Sequence, residues 1–134
     1  MDCNELIKNY RQWYEENLLT YEIYNNNILV YVPFTDRFSD SFSITVELCE
    51  DTVKLTDNGQ ILAMIDLEQS LKRIKPIISR HNISLNKGSL ETECIIKHFP
   101  KVFNDFISAL IKIHAIDEML TEEAGNEIQQ DILG

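Results

Sequence analysis

Residues 42–59 read FSITVELCEDTVKLTDNG, and this stretch decides the fold. Apolar and polar residues alternate from Phe42 to Leu48, which is the period of a strand with one buried face. A short turn at residues 50–51 leads into a second alternating run, which ends in the turn-forming residues 56–59. Strands joined by so short a turn cannot be parallel, because a parallel crossover needs about a dozen residues or more. The stretch therefore predicts an antiparallel hairpin.

The same alternation extends the sheet in both directions. Residues 21–34 predict a hairpin with an Asn-rich turn, and residues 83–96 predict another hairpin around residues 86–89. Apolar residues at steps of three and four predict helices over residues 5–18, 67–78 and 99–120. The predicted fold class is α+β: an antiparallel sheet, a meander plus a second hairpin, with about three helices packed on one face.

Three local features carry predictions of their own. Asn4 is the expected N-cap of the first helix. Pro33 indicates that its strand lies at an edge or stops there, because proline lacks the N–H that a central strand donates. Pro76 lies inside an apolar helical stripe, so we expect a kink or the first turn of a new helix at this point.

Length and composition predict one domain of ordinary globular type. The chain has 134 residues, of which 44% are hydrophobic and 25% charged. We assign residues 1–120 to a single α+β domain and residues 121–134 to an acidic C-terminal tail, either a helix extension or disordered. The first residues do not resemble a signal peptide, and no apolar run reaches the roughly 20 residues that span a bilayer. A cytoplasmic location is therefore expected.

The net charge of −10 is the main compositional evidence about partners. It argues against direct binding to nucleic acid, which needs Lys and Arg, and against docking on an anionic membrane. It favours a basic protein surface as the partner. The acidic residues that we predict to bind this partner are Glu47, Glu50, Asp51, Asp117, Glu118, Glu122, Glu123, Glu127 and Asp131. A basic helix face, whose role stays open, is formed by Lys72, Arg73, Lys75 and Arg80.

Three motifs support a family resemblance. They are residues 10–13 (YRQW), residues 32–42 (VPFTDRFSDSF) and residues 55–59 (LTDNG). In this order, the chain resembles the prokaryotic and phage family catalogued as domain of unknown function 1828, over about residues 5–120. The resemblance implies a small bacterial or phage protein, often from a mobile element. It implies no known reaction, so no catalytic role is carried over.

The loop of the second motif leaves two hypotheses open. Arg37 between Asp36 and Asp40 could form a bidentate pair that fixes the loop before its strand. The two carboxylates could instead bind a divalent metal together with Asp57, since Mg²⁺ needs only one or two carboxylates plus water. Loop fixing is favoured, because acidic loops are much more common than metal sites.

No other motif in the chain indicates a catalytic, zinc or phosphate site. Cys94 and His98 are four residues apart, but a structural zinc site needs four ligands, usually in pairs. The four glycines are isolated, so no Gly-rich phosphate loop is present. No cofactor and no catalytic residue are assigned.

The leading functional hypothesis is a non-enzymatic, acidic partner-binding protein of a bacterial or phage mobile element. One concrete version is an inhibitor that occupies a basic nucleic-acid-binding site on a host protein, with carboxylates in the place of phosphates. The alternative is a metal-dependent hydrolase or nuclease that uses Asp36, Asp40 and Asp57. A third hypothesis is a homodimer joined along a strand edge or the Phe99–Ile113 helix.

Overall fold

The computed structural model describes the backbone of residues 2–17, 20–35, 41–64 and 67–133. Within these ranges, the side chains of residues 17, 33–35, 41–42, 64, 67–68 and 117–133 are not described. In the described part, strands and helices follow one another in the predicted order, with one additional short helix at Gln60–Met64 that the periodicity did not predict. The fold class is confirmed as α+β.

Six strands form one open antiparallel sheet. Their bounds are β1 Thr20–Tyr24, β2 Asn27–Thr35, β3 Ser41–Cys49, β4 Thr52–Thr56, β5 Ser84–Asn86 and β6 Ser89–Ile95. The spatial order is β1-β2-β3-β4-β6-β5, so the meander and the second hairpin are joined through β4 and β6. The register pairs Val46 with Leu55 and Leu55 with Thr92. These pairs place the alternating residues of the opening stretch at the middle of the sheet.

The helices cover only one part of one sheet face. Their bounds are α1 Cys3–Asn17, α2 Gln60–Met64, α3 Leu67–Arg80 and α4 Phe99–Leu133, the last preceded by a 3₁₀ turn at Ile96–His98. Helix α3 packs against α4, and α2 and α4 contact β6. Their apolar residues meet those of the sheet in a core whose members are almost fully buried: Ile44, Leu55, Ile61, Ile74, Leu90, Phe106, Ala109 and Ile113.

Cross-strand pairing divides the sheet into an apolar face and an open face. Residues paired across neighbouring antiparallel strands point to the same side. Ile44, Val46 and Leu55 therefore share the face that the helices cover. The other face carries Glu47 and Lys54 together with Tyr24 and Leu29, so it mixes charged and apolar side chains.

Helix α1 differs from the other helices, because every described side chain in it is exposed. Its apolar residues Leu6, Tyr10 and Trp13 are each more than half exposed. The helix is capped by Asp2 and not by Asn4, since the Glu5 N–H donates to Asp2 Oδ1 at 2.9 Å. The sequence predicts the helix correctly, but not that its apolar side is left uncovered.

Pro33 is accommodated in a way that the sequence did not predict, and one of the two alternatives for Pro76 is excluded. Strand β2 lies between β1 and β3, so Pro33 is not in an edge strand. It lies instead where the β2–β3 register shifts between Tyr31 and Thr35, an irregularity that removes the need for its N–H. Helix α3 continues through Pro76 to Arg80, so no new helix begins at this proline.

Candidate functional site

Asp57 is the most buried acidic side chain among the described residues, with 1% of its surface exposed. It lies where β4 ends and α2 begins. Its Oδ1 accepts N–H bonds from Gly59 at 2.9 Å and from Leu90 at 2.8 Å. Its Oδ2 accepts the N–H of Ile61 at 3.0 Å. The carboxylate therefore caps the first turn of α2 and holds the β6 backbone to the end of β4.

The backbone around Asp57 reinforces this role. The Asp57 N–H donates to the Leu90 carbonyl at 3.1 Å, so the two residues exchange hydrogen bonds across 33 positions of sequence. Asn58 and Gly59 both have positive φ, 58° and 78°, which lets the chain turn sharply from strand into helix. The motif LTDNG thus forms a structural junction in this protein.

The geometry of Asp57 bears on the metal hypothesis. To bind a metal through these oxygens, the buried Asp57 would have to give up hydrogen bonds from three backbone N–H groups, which is costly. Asp36, Arg37 and Asp40 lie outside the described residues, and so the hydrolase alternative stays a prediction. In the described part of the chain, no three His, Cys, Asp or Glu side chains are grouped so that they could hold a metal ion.

The open face of the sheet brings four carboxylates together, and we call these residues the acidic face: Glu22, Glu47, Glu91 and Glu93. Glu47 is paired with Lys54, and Lys54 is paired in turn with Glu93. Glu22, Glu47 and Glu93 are exposed, and Glu91 is half-buried. Of the partner-binding residues predicted from the sequence, Glu47 lies on this face, while Glu50 and Asp51 are exposed in the adjoining β3–β4 turn.

Lys54 neutralises only part of this charge. Its Nζ lies 3.6 Å from Glu91 Oε2, which also accepts a bond from Asn86 Nδ2 at 3.3 Å. Glu91 is thus held in place, and Glu22, Glu47 and Glu93 remain on the face as exposed carboxylates. Sequence reasoning missed Glu22, Glu91 and Glu93. The signal was available, because each occupies a polar position of an alternating strand.

The remaining predicted acids are in the C-terminal half of α4. This helix runs to Leu133, so the backbone of residues 121–133 is helical. The side chains of Asp117, Glu118, Glu122, Glu123, Glu127 and Asp131 lie outside the described residues. On α3, Lys72, Arg73, Lys75 and Arg80 are all exposed, as expected of a charged face opposite buried Ile74.

A cleft of about 660 Å³ lies between β6 and the start of α4, and it contains Cys94 and His98. Glu93, Lys101 and Asp105 also line it. Burial, and to a lesser extent the negative charge of Glu93, raise the pKa of the Cys94 thiol. A nucleophilic cysteine needs the opposite shift, because the thiolate is the reactive form. The direction of this shift therefore does not favour Cys94 as a nucleophile.

The raised pKa predicts slow alkylation of Cys94 in the native protein. At pH 8 we expect iodoacetamide to modify Cys94 at least several-fold more slowly in the folded chain than in urea, because less thiolate is present. Glu93→Gln should speed the native reaction slightly, since it removes the smaller of the two causes. Mass spectrometry of the Cys94 peptide measures both rates, and equal rates in the folded and unfolded chain would contradict the prediction.

A second polar group joins α3 to α4. His81 Nδ1 lies 2.8 Å from Asp105 Oδ1, and Lys112 Nζ lies 3.4 Å from His81 Nε2. Because a lysine ammonium only donates, this geometry fits an imidazole whose Nδ1 carries the proton and whose Nε2 accepts. The His81 side chain is 8% exposed and Asp105 is 49% exposed, so the pair lies at the rim of the helix packing.

The comparisons with known proteins give one finding about identity. A family model described as "Domain of unknown function DUF1828" matches residues 32–113. The matched part includes β3, β4, the Asp57 junction and α4 as far as Ile113. No curated protein and no solved structure matches the chain. Among the described residues, no helix is both long enough and apolar enough to cross a membrane.

Proposed function

The chain belongs to the DUF1828 family, whose description assigns no activity, and from this premise we propose that it is a non-enzymatic protein that binds a basic protein surface. The observation that carries the proposal is the acidic face. Three of its four carboxylates are exposed on an open sheet surface that no described helix covers, and they lie beside the exposed acids of the β3–β4 turn.

The geometry suits electrostatic docking. Neighbouring strands in a sheet lie about 4.8 Å apart, so carboxylates on alternate strands form a regular array. Glu47 and Glu93 are separated by one strand, that of Lys54. A rigid sheet holds these charges in place, which lowers the ordering cost that flexible acidic segments incur on binding. Complementary charge of this kind increases association rate and specificity.

The narrower version of the proposal concerns the target. An acidic array on a rigid face can occupy a site that normally holds phosphates, so we propose an inhibitor of a nucleic-acid-binding host protein. The family resemblance implies a bacterial or phage mobile element as its source, and we include this origin in the proposal. The acids of α4 beyond residue 116, which we predicted to bind the same partner, remain part of the proposal as a prediction from the sequence.

The proposal predicts a loss of binding that depends on where charge is removed. The triple variant Glu22→Gln, Glu47→Gln, Glu93→Gln should bind a captured basic partner at least tenfold more weakly than the parent chain. The control is Glu5→Gln, Glu15→Gln, Glu16→Gln, which removes the same charge from exposed positions of α1. Both are measured against the same partner, captured from a host lysate, at about 0.1 M and about 0.5 M salt.

Three outcomes separate the possibilities. Binding that the acidic-face variant and high salt both weaken, and that the α1 control leaves intact, supports the proposal. Equal weakening by both variants would mean that only net charge matters, and the acidic face would not be the site. A partner that neither variant affects would overturn the proposal. A thermal-shift titration with Mg²⁺ and Mn²⁺ tests the hydrolase alternative separately.

A further inference from the structure

Helix α1 presents an uncovered apolar stripe, which we call the α1 stripe: Leu6, Ile7, Tyr10, Trp13 and Tyr14. These positions recur at helical spacing on one side of the helix. Their exposed fractions lie between 39% and 61%. Tryptophan and tyrosine are the residues most enriched where protein interfaces derive their binding energy. An exposed stripe of this composition indicates an interaction surface.

The sheet carries a second uncovered apolar surface, on the face that holds the core. We call Tyr21, Ile23, Leu48 and Ile96 the sheet shelf, and their exposed fractions lie between 49% and 66%. Tyr21 and Ile23 are paired with Val30 and Ile28, which pack against the core. The helices that cover the middle of this face therefore leave its β1 side open.

The sheet shelf contains a groove that a helix side chain can enter. The groove has a volume of about 180 Å³ and is lined by Ile28, Val46, Leu48, Val53, Ile96 and Phe99. Val46 and Val53 are core residues, so the floor of the groove is the edge of the hydrophobic core. Whatever fills this groove extends the core, as a fourth packed helix would.

We propose that the α1 stripe of one copy packs on the sheet shelf of a second copy, and that the exchange is reciprocal in a two-fold dimer. Each chain carries both surfaces, so a two-fold axis repeats the same stripe-on-shelf contact twice. All four apolar surfaces of the dimer are then covered. From the exposed fractions, the α1 stripe offers roughly 500 Å² and the sheet shelf roughly 400 Å². The dimer would then bury on the order of 1,800 Å² in total, which lies within the range of stable interfaces.

The two-fold arrangement is compatible with the proposed function and independent of it. The sheet shelf and the acidic face are on opposite sides of the same sheet. The dimer would leave both acidic faces open. The two contacts also differ in chemistry, because high salt weakens binding between opposite charges and does not weaken apolar association.

The test uses the full chain and its single tryptophan. Trp13 is the only tryptophan in the sequence, and it lies in the α1 stripe. Sedimentation should show a mass of twice 15.6 kDa at high protein concentration, and the emission of Trp13 should shift to shorter wavelength as the dimer forms. At about 0.5 M salt the dimer should persist.

Two variants each weaken one half of the proposed interface, the stripe or the shelf. Leu6→Ala with Tyr10→Ala weakens the stripe but keeps Trp13 as a reporter, and alanine preserves helix propensity. Ile23→Thr with Leu48→Thr weakens the shelf with a residue that favours strands. Each should raise the dimer dissociation constant at least tenfold. Mixing the two should restore partial dimerisation, because each variant keeps the half that the other has lost.

The matched control is Leu85→Thr, an exposed residue in the opposite edge strand β5, which should leave the dissociation constant unchanged. A chain that stays monomeric at high concentration, with no change in Trp13 emission, would overturn the proposal. So would a dimer that the shelf variant disrupts and the stripe variant does not, because α1 would then not be the occupant.

Discussion

Replacing Asp57 with alanine is expected to lower the free energy of unfolding by about 4 kcal/mol. The reason is that three backbone N–H groups, those of Gly59, Ile61 and Leu90, donate to this carboxylate at 2.8–3.0 Å. Asp57 is 1% exposed, so solvent has little access to the N–H groups that lose their acceptor. Removing the acceptor leaves buried donors unpaired, at the junction of β4, β6 and α2.

Asparagine at this position gives a graded test of the same idea. Asp57→Asn keeps one oxygen but turns an NH₂ group toward an N–H donor. We expect it to lower the free energy of unfolding by about half as much as Asp57→Ala does. Urea denaturation followed by far-UV circular dichroism measures both variants. The control is Asp51→Ala, which removes an exposed carboxylate from the β3–β4 turn and should change stability by less than about 0.5 kcal/mol. Equal effects at residues 51 and 57 would contradict the capping role.

Replacing Phe106 with alanine is expected to cost a similar amount, about 4 kcal/mol. Phe106 is 1% exposed and is among the largest fully buried side chains. It belongs to the α4 stripe that closes the core over the sheet, with Ala109, Leu110 and Ile113. Its removal loses the transfer free energy of the ring and leaves a cavity that the surrounding core fills only in part.

The same helix provides the control for Phe106. Ile111 is on the other side of α4 and is 37% exposed, so Ile111→Ala should cost no more than about 1 kcal/mol. Both are measured by urea denaturation, with the slope of the transition unchanged because the same surface is exposed on unfolding. If the two substitutions cost the same, the core is not organised around the stripe that contains Phe106.

Asp57 and Phe106 hold the same part of the fold together. Asp57 ties the second hairpin to the meander through Leu90, and Phe106 closes α4 over the sheet beside the same strands. The family match at residues 32–113 covers both. The acidic face is built on the strands that this arrangement fixes. Loss of either residue would therefore also disturb the proposed binding surface.

Local sequence determined the elements of this protein. Alternation in residues 42–59 fixed β3 and β4, and the steps of three and four from Phe99 to Ile113 fixed α4, because these periods are set by backbone geometry alone. Short turns made the sheet antiparallel. The net charge favoured a basic protein surface as the predicted partner. The motifs predicted the family correctly.

Tertiary structure decided what local patterns do not encode. Strand β6, and not β5, joins the meander, and only this choice places the Leu90 N–H against the buried Asp57 carboxylate. The same choice puts Glu91 and Glu93 on the face of Glu47. Helix α1 has the pattern of a packed helix, yet its apolar side stays uncovered. Periodicity shows that a face is apolar, but which surface covers it depends on contacts between residues far apart in the chain.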